Sequence, residues 1–587
     1  MDRTENVVVN LTINNIKVTA RKGESILEAA KRVGIRIPSL CYLNMHDLDI
    51  LNRPASCRVC MVDQVGGRKG GLVPACATFV SEGMVINTNT KRALDARRTI
   101  VELLLSDHPS DCTTCYRNLT CELQALASDL GVKEIRYKGE KNDFPMDSSS
   151  YSVIRDPNKC VLCRRCETIC THIQSSGVLS GVSRGFETNV GTAFETPLID
   201  THCTFCGQCV AVCPTCALDG AGDMEEVWKA LNAPDKYVVV QTAPAVRSAL
   251  GEMFSMPPGE VVTGKMVAAL RRMGFDQVLD TNFTADVTVM EESTELIQRI
   301  KNGGKLPLIT SCCPSWIKFI EHQYPDLLDY PSSCKSPQEM SGALAKTYLA
   351  EKLGVDPAKM VCVAIMPCLA KKYEANREEL KNDGLANVDY VLSTRELGRM
   401  IKEAGILFTD LPDENFDSFM GESSGAGGIF GATGGILEAV LRTLCEVLTD
   451  KKLHKLEFEA LRGFNRGIKE TTIDVGDRKL KIAVAHELRN ARNLLEDIRA
   501  GKSEYHAIEV TACPGGCIAG GGQPYHHASE EILNNRREAL YRGDKYKLLR
   551  RSHENPEVKK LYEDFLGEPC GKKAHDLLHT KYVKRTV

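Results

Sequence analysis

Cysteine is the residue type that most constrains this chain. There are 25 cysteines among 587 residues, and most of them fall into dense groups with regular spacing. The sequence opens without a basic segment leading into an apolar one and without a twin-arginine signal, so we expect a cytoplasmic protein. Disulfides are disfavoured in that reducing compartment, whereas thiolates are good ligands for soft metals. The cysteines are therefore predicted to bind metal.

Composition excludes several other classes of protein. The 74 basic and 77 acidic residues leave a formal net charge of −3, which does not favour a nucleic-acid or membrane-surface partner. No segment approaches the ~20 apolar residues that span a bilayer. Hydrophobic residues make up 43% of the chain, enough to form ordinary cores in several domains. We expect a multidomain α+β protein.

The densest cysteines form two copies of the spacing C-x2-C-x2-C-x3-C. These runs resemble the bacterial ferredoxin motif, which implies a domain over residues 150–225 with two [4Fe–4S] clusters. In that motif the fourth cysteine of each run binds the other cluster. Cys216 is left over, and we expect a packed thiol without metal. The implied ligands are Cys160, Cys163, Cys166 and Cys213 for one cluster, and Cys203, Cys206, Cys209 and Cys170 for the other.

Residues 1–95 carry a different pattern. The alternating segment VVVNLTI, the turn NN and the segment KVTA predict a hairpin, and an apolar helical pattern follows over Glu24–Val33. This order resembles the β-grasp fold of [2Fe–2S] ferredoxins, and the spacing C-x15-C-x2-C-x15-C resembles the N-terminal module of the complex I iron–sulfur subunit. A structural zinc site is the alternative, but the β-grasp pattern favours iron. The implied ligands are Cys41, Cys57, Cys60 and Cys76.

Residues 96–140 contain three cysteines after an apolar helical segment, ARRTIVELLLSDH. A [4Fe–4S] cluster needs a fourth ligand, and His108 has the one suitable donor nearby, although a capping or surface histidine is the alternative. The arrangement H-x3-C-x2-C-x5-C is similar to the motif of one histidine and three cysteines in complex I and in modular hydrogenases. Residues 138–151 are a predicted linker, and 221–236 are predicted to join the next domain. The implied ligands are His108, Cys112, Cys115 and Cys121.

The C-terminal region, 237–587, opens with YVVVQTAPAVR, a buried-strand pattern followed by a helix that indicates α/β layering. Three cysteine-bearing segments follow: TSCCPSW, MPCLAKK and TACPGGCIAGGGQP. The glycines beside the last pair of cysteines permit tight backbone turns. Four thiolates for a further cluster can come from Cys313, Cys368, Cys513 and Cys517.

These three segments look like the signature motifs of the iron-only hydrogenase family, and the N-terminal modules resemble those of its large members. The resemblance implies an H-cluster: a [4Fe–4S] cubane joined through one cysteine to a diiron unit with CO, cyanide and a bridging dithiolate. It assigns the bridging thiolate to Cys517, the cyanide partner to Lys371, and packing against the diiron unit to Met366. A buried ammonium group there would compensate a cyanide charge in a dry pocket.

The same resemblance implies a proton relay, which we define as Cys312, Glu292, Ser332 and Glu295. A helix over MEESTELIQRI would bring the two glutamates to one side, because they are three residues apart. The alternatives are a buried structural cysteine and two solvated glutamates. A buried carboxyl group would need a raised pKa to exchange protons near neutrality.

Two positions depart from the common family pattern. Ala245 stands where many members have a serine, and Thr511 stands where many have a methionine. The resemblance places both residues around the diiron unit, so the family's H2 turnover rate and preferred direction are not carried over to this chain. The glycine-rich segment 422–435 lacks the G-x-G-x-x-G spacing, because Phe430 occupies the third glycine position, so no dinucleotide site is expected.

The family resemblance implies reversible conversion of H2 to protons and electrons, with one [2Fe–2S] cluster and three accessory [4Fe–4S] clusters beside the H-cluster. The chain has no flavin or NAD fingerprint, so we expect a partner subunit that binds flavin and NAD(P), a small iron–sulfur subunit, and ferredoxin as a further partner. Electron bifurcation would fit such a complex. The alternatives are a stand-alone ferredoxin-dependent hydrogenase, a hydrogen sensor or an iron–sulfur assembly factor. A complex I subunit or a formate dehydrogenase subunit is not favoured, because it would lack the segments TSCCPSW and ACPGGC.

Overall fold

The computed structural model describes residues 8–43, 54–66, 70–463, 467–476, 478–527 and 529–586. Val7, in the predicted first strand, lies outside this range. Among the described helices, none combines the length and the apolar character that crossing a membrane requires.

The N-terminal module is a five-stranded sheet with a short helix packed on it. The predicted hairpin is confirmed: β1 and β2 pair antiparallel, and both turn residues, Asn14 and Asn15, have positive φ as a tight hairpin turn requires. The predicted helix is also confirmed, and it begins after Ser25, which forms a capping box with Glu28. The strand order is β2-β1-β5-β3-β4. The elements are β1 (Val8–Ile13), β2 (Ile16–Arg21), α1 (Ile26–Arg32), β3 (Met61–Val65), β4 (Gly71–Pro74) and β5 (Val85–Asn87).

Two helices and a small two-part module follow. The helices pack Val101, Leu123 and Leu126 into the same hydrophobic core as the first sheet, so the two N-terminal modules share one core. In the next module, β6 pairs antiparallel with β9, and β7 with β8. The elements are α2 (Lys91–Asp107), α3 (Glu122–Asp129), β6 (Val153–Arg155), α4 (Arg165–Thr168), β7 (Ser180–Val182), β8 (Asn189–Gly191), α5 (Gln208–Val212) and β9 (Leu218–Gly220).

The C-terminal region contains two four-stranded sheets. One has the order β11-β10-β13-β14 with all strands parallel; the other has the order β12-β17-β16-β15, with only β15 antiparallel. Helices cover these sheets, so central strands such as β13 are buried at every residue. The strands are β10 (Tyr237–Thr242), β11 (Gln277–Asp280), β12 (Leu308–Ile309), β13 (Met360–Met366), β14 (Tyr390–Ser393), β15 (Lys469–Val475), β16 (Arg478–His486) and β17 (Ala507–Thr511).

The helices of this region include one in the predicted connection 221–236. That helix, α6, forms because Val227 and Ala230 bury one of its faces against the first parallel sheet. The helices are α6 (Met224–Leu231), α7 (Thr263–Arg272), α8 (Thr281–Asn302), α9 (Pro314–Gln323), α10 (Pro337–Leu344), α11 (Ala350–Leu353), α12 (Ala370–Ala375), α13 (Thr394–Glu403), α14 (Gly425–Gly428), α15 (Gly435–Thr449), α16 (Leu488–Arg499), α17 (Glu530–Tyr546), α18 (Pro556–Leu561) and α19 (Lys572–Leu578).

The glycine-rich segment 422–435 is a packing element. It forms α14 and the start of α15, and Ser424 caps α14 while donating its backbone N–H to Asp286 of α8 at 2.6 Å. A Cβ on Gly427 would lie 2.4 Å from the carbonyl oxygen of Asn282. Glycine is therefore needed for the close approach of this segment to α8.

Candidate functional site

The four cysteines of the N-terminal module are buried and surround one point. The Sγ atoms of Cys60 and Cys76 are 3.3 Å apart, and the backbone N–H of Ala55 donates to Cys76 Sγ at 3.1 Å. Hydrogen bonds from the thiols of Cys57 and Cys76 lower the pKa of Cys41. Four converging sulfur atoms on loops beside a sheet fit a small iron–sulfur cluster.

His108 ends α2 beside the loop that carries Cys112, Cys115 and Cys121. Its Nδ1 lies 2.7 Å from the carbonyl oxygen of Pro109, whereas its Nε2 is buried and has no hydrogen-bond partner among the described residues. Burial lowers the pKa of the imidazole and favours the neutral form, which is the form that binds metals. An oriented ring with one buried, unpaired nitrogen fits a metal ligand.

The two-part module that contains β6 to β9, which we call the ferredoxin-like module, has two cavities. Cysteines from both runs line each cavity. Three cysteines of one run and the last cysteine of the other face each cavity, the crossed arrangement that the ferredoxin motif implies. Cys216 is buried, and its Sγ lies 3.7 Å from Asp219 Oδ2. The first cavity is lined by Cys160, Cys163, Cys166 and Cys213, and the second by Cys170, Cys203, Cys206 and Cys209.

The predicted ligand cysteines of the C-terminal region lie where parallel strands of both sheets end. Cys313 follows β12, Cys368 follows β13, and Cys513 follows β17. Carboxyl ends of parallel strands are the usual position of a ligand site in such sheets. Gly516 has a positive φ of 98°, and a Cβ there would lie 2.6 Å from the backbone N of Thr433, so the turn before Cys517 requires glycine.

Two of the four thiols of this site, those of Cys368 and Cys513, are buried, and those of Cys313 and Cys517 are partly buried. Burial raises the pKa of Cys368 to about 12 and that of Cys513 well above its ordinary value. A buried thiol of this kind becomes a thiolate only when a cation compensates its charge. Four thiols at one point therefore fit an iron–sulfur cluster.

Gln208 joins this site to the ferredoxin-like module. It lies between Cys206 and Cys209, and its Nε2 donates to Cys513 Sγ at 3.1 Å and to the carbonyl oxygen of Ala519 at 2.9 Å. Gly207 packs directly against Gly521. No pattern in the sequence predicts this contact, because Gln208 and Cys513 are 305 positions apart.

Lys371 occupies a buried position beside Cys312. Its Nζ donates to the carbonyl oxygen of Cys312 at 3.1 Å and to Glu374 Oε2 at 2.6 Å. Burial opposes the charge on Lys371, but the Glu374 carboxylate outweighs that effect and raises the lysine pKa. Glu374 was not predicted, although its i, i+3 spacing from Lys371 on α12 was a usable signal. Met366 ends β13 at the same edge and is buried.

The relay residues lie along one side of this site. Glu292 and Glu295 are one turn apart on α8, and Ser332 Oγ donates to Glu295 Oε2 at 2.8 Å. Neither carboxylate oxygen of Glu292 has a hydrogen-bond partner in the described part of the chain. Burial, followed by the charge of Glu295, raises the pKa of Glu292 to about 8. Burial and then the charge of Glu292 raise the pKa of the Cys312 thiol.

The two positions that depart from the family pattern are also buried. The carbonyl oxygen of Ala245 accepts a hydrogen bond from Gln523 Nε2 at 2.8 Å. Thr511 is the last residue of β17, and its hydroxyl group has no hydrogen-bond partner among the described residues. Each side chain is smaller than the residue that it replaces.

Family models match four segments of the chain. Residues 236–521 match "Iron only hydrogenase large subunit, C-terminal domain" and 530–585 match "Iron hydrogenase small subunit". Residues 97–136 match "NADH-ubiquinone oxidoreductase-G iron-sulfur binding region", and 6–91 match "2Fe-2S iron-sulfur cluster binding domain".

Individual hydrogenases are also similar to this chain. The NADP-reducing hydrogenase subunit HndD of Solidesulfovibrio fructosivorans is 53% identical, with 98% of this chain and 99% of that protein covered. Iron hydrogenase 1 of Clostridium pasteurianum is 40% identical, with 98% and 100% covered. A solved variant of the [FeFe]-hydrogenase HydA1 from Chlamydomonas reinhardtii matches with a TM-score of 0.57 at 42% identity, covering 62% of this chain and 100% of that chain.

Proposed function

This chain belongs to the iron-only hydrogenase family and is a catalytic hydrogenase subunit, and from that premise we propose that it exchanges electrons between H2 and a partner that reduces NAD(P)+. The observation that carries the proposal is the meeting of Cys313, Cys368, Cys513 and Cys517 at the strand ends, beside Lys371 and in contact with the ferredoxin-like module through Gln208. The similarity to an NADP-reducing hydrogenase subunit supports the choice of acceptor.

The four cysteines at the strand ends are the proposed ligands of the H-cluster, with Cys517 as the bridging thiolate. When bound, the H-cluster supplies the redox chemistry that interconverts H2 with protons and electrons. Lys371 holds a positive charge in the buried pocket, and Glu374 keeps it oriented. Met366 and the surrounding apolar strands exclude water, which strengthens these electrostatic interactions.

The accessory clusters are the proposed electron path. The four N-terminal cysteines would hold one [2Fe–2S] cluster, His108 with Cys112, Cys115 and Cys121 one [4Fe–4S] cluster, and the two cavities of the ferredoxin-like module two more. The unpaired Nε2 of His108 and the crossed cysteine lining of the cavities support these assignments.

The relay of Cys312, Glu292, Ser332 and Glu295 is the proposed path for protons. Glu292 is suited to pass protons near neutral pH, because burial raises its pKa to about 8. Ser332 donates its hydroxyl hydrogen to Glu295 Oε2 at 2.8 Å, which supports the outer step of the relay.

The proposed assembly includes a flavin- and NAD(P)-binding subunit and a small iron–sulfur subunit, with ferredoxin as a second electron partner and electron bifurcation as the mode of coupling. Hydride transfer to a nicotinamide needs a cofactor that accepts electrons singly and donates them in pairs, and this sequence carries no flavin or dinucleotide fingerprint. The cytoplasm is the proposed location, because NAD(P)+ is the proposed acceptor.

The isolated, fully loaded chain should therefore reduce an artificial one-electron dye with H2 but should leave NAD(P)+ unreduced. Adding the flavin-containing partner should restore NAD(P)+ reduction. The measurement is H2-dependent absorbance change with each acceptor in the same preparation. Direct reduction of NAD(P)+ by the pure chain would refute the need for a partner, and coupling to ferredoxin alone would favour a stand-alone ferredoxin-dependent hydrogenase.

Replacement of His108 tests the proposed fourth ligand. His108→Ala should lower the iron content by up to about four atoms per chain or change the paramagnetic spectrum of one reduced cluster, while the infrared bands of CO and cyanide stay unchanged. His108→Cys offers a thiolate at the same position and should recover the iron. Unchanged iron content and spectra in His108→Ala would remove this histidine from the ligand set.

A further inference from the structure

A buried network of polar side chains leads away from Glu295 toward the C-terminal segment. Ser333 Oγ lies 2.8 Å from His579 Nδ1, and His579 Nε2 lies 2.9 Å from Glu291 Oε2. We call Ser333, His579 and Glu291 the exit network. Neither the similarity to known proteins nor the relay described above assigns a role to these three residues.

Arg299 blocks one oxygen of Glu295. Its guanidinium group donates to Glu295 Oε1 from Nε at 3.1 Å and from Nη2 at 2.6 Å. A guanidinium group has no acceptor and does not deprotonate in proteins, so it cannot pass a proton onward. The group is also fixed in place by four backbone carbonyl oxygens, those of Lys305, Asp329, Tyr330 and Pro331.

The other oxygen of Glu295 faces both the relay and the exit network. Glu295 Oε2 accepts from Ser332 Oγ at 2.8 Å, and Ser333 Oγ lies 3.4 Å from the same oxygen. A carboxylate oxygen of Glu295 and a ring nitrogen of His579 lie within 4.8 Å of each other, a gap that one hydroxyl group or one water spans. Because Oε1 is held by Arg299, Oε2 is the oxygen through which protons can move.

Backbone pairing fixes His579 in this position. The N–H of Lys335 donates to the carbonyl oxygen of Leu578 at 2.8 Å, and that of Thr580 donates to the carbonyl oxygen of Ser333 at 2.8 Å. The Tyr582 hydroxyl group donates to the carbonyl oxygen of Ser332 at 2.7 Å. The C-terminal segment is thus bound directly to the two serines that contact Glu295.

The far end of the exit network approaches the surface. Glu291 is fully buried and accepts from the Tyr562 hydroxyl group at 2.5 Å and from the backbone N–H of Cys570 at 2.7 Å. Cys570 is only half-buried. The ring of His579 stacks on that of the exposed His575, with centroids 4.7 Å apart. Glu291 is therefore one residue away from solvent.

We infer that the exit network is a second proton outlet of the relay, in which His579 carries protons between Glu295 and the surface near Cys570. During H2 oxidation, a proton on Glu295 Oε2 passes to the Ser333 hydroxyl group, which releases its own proton to His579 Nδ1. The imidazolium then gives its Nε2 proton to Glu291 Oε2, and the proton leaves Glu291 through the thiol of the half-buried Cys570, which lies within 4.8 Å of a Glu291 carboxylate oxygen, to water. Each step moves one proton and needs no other reactant, and His579 returns from the Nδ1–H to the Nε2–H tautomer before the next proton arrives. The inference rests on the proposed relay through Glu292 and Glu295.

His579→Gln tests the outlet, because the amide can form hydrogen bonds but cannot carry an extra proton. We expect H2 turnover to fall about tenfold, less than the ~100-fold that acid–base transfer commonly contributes, because the Glu295 side chain keeps 12% exposure to water. The solvent deuterium isotope effect on kcat should rise, since proton release becomes slower. The KM for H2 and the infrared bands of CO and cyanide should not change.

The chain offers a matched control in His553. Its Nδ1 lies 3.0 Å from Thr443 Oγ1 and its Nε2 lies 3.0 Å from Glu446 Oε2, the same hydroxyl–imidazole–carboxylate order away from the relay. His553→Gln should leave turnover and the isotope effect at wild-type values. Ser333→Ala provides a second variant of the outlet, which keeps the backbone pairing of His579, and it should behave like His579→Gln.

Four outcomes would overturn part or all of this proposal. Normal turnover and an unchanged isotope effect in both His579→Gln and Ser333→Ala would overturn the outlet. Equal losses in His579→Gln and His553→Gln, with no rise in the isotope effect, would also overturn it, since the loss would then be structural. Glu292→Gln, measured in parallel, tests the relay itself: normal turnover there would overturn the relay, whereas loss there with normal His579→Gln would overturn the outlet alone.

Discussion

Cys312→Ala should lower H2 turnover in both directions by at least ~100-fold while the bound H-cluster remains intact. Acid–base transfer requires donor and acceptor within hydrogen-bond reach or joined by one water, and a methyl group cannot carry a proton. The thiol lies beside Glu292, whose charge contributes to its raised pKa, and Lys371 fixes the backbone of Cys312. The measurements are H2 uptake and evolution with a dye, and the infrared bands of CO and cyanide.

The same variant distinguishes three roles for Cys312. A ligand would lose the infrared bands, and a packing residue would keep turnover near normal at a cost of ~1 kcal/mol in stability. Cys445→Ala is a control for packing, because Cys445 is buried among leucines of another core cluster. Near-normal turnover in both variants would reject Cys312 as a proton carrier.

Glu292→Gln should have an equally large effect, a loss of at least ~100-fold in turnover with the infrared bands retained. Glutamine keeps the shape of the side chain but cannot release and accept a proton. The relay would then be interrupted between Cys312 and Ser332. A dye-coupled assay over a range of pH checks this result, and normal turnover at any pH would contradict the relay.

The substitution also has a consequence for stability that does not depend on turnover. Folding raises the pKa of Glu292 from its ordinary value of 4.5 to about 8, so between these pH values the folded state binds more protons than the unfolded state. Stability therefore falls as the pH rises through this range, by an amount on the order of a few kcal/mol.

Glu292→Gln removes this dependence. Relative to the wild type, the variant should gain stability steadily from about pH 5 to about pH 8. Melting temperatures of both loaded proteins across this range provide the measurement. A constant difference between the two proteins would mean that Glu292 does not hold its proton in the folded state.

The sequence predicts the local parts of this molecule well. The hairpin at Asn14 and Asn15 and the helix that brings Glu292 and Glu295 to one side follow from patterns within about a dozen residues, and the structure contains both. Close spacing along the chain limits where the cysteines of each run can lie. Such features are encoded by neighbouring residues, so they need no knowledge of the tertiary fold.

The contacts that complete the site could not be predicted in the same way. Gln208 reaches Cys513 across 305 positions, and His579 approaches Ser333 across 246. No periodicity or spacing encodes such a contact, because it depends on how separate sheets and helices pack. Each of these residues also has an ordinary alternative role, as a surface amide or a buried histidine.

The backbone contact between Gly207 and Gly521 means that the ferredoxin-like module and the catalytic module constrain each other's evolution. A Cβ on Gly521 would lie 2.7 Å from the Cα of Gly207, so any larger residue at that position would push the ferredoxin-like module away from the catalytic one. Both positions are already glycine, so neither residue can be enlarged unless the two modules move apart. A hydrogenase lineage that sheds its N-terminal modules, or an engineer who exchanges them, must rebuild the surface around Gly521 and replace the hydrogen bonds that Gln208 supplies.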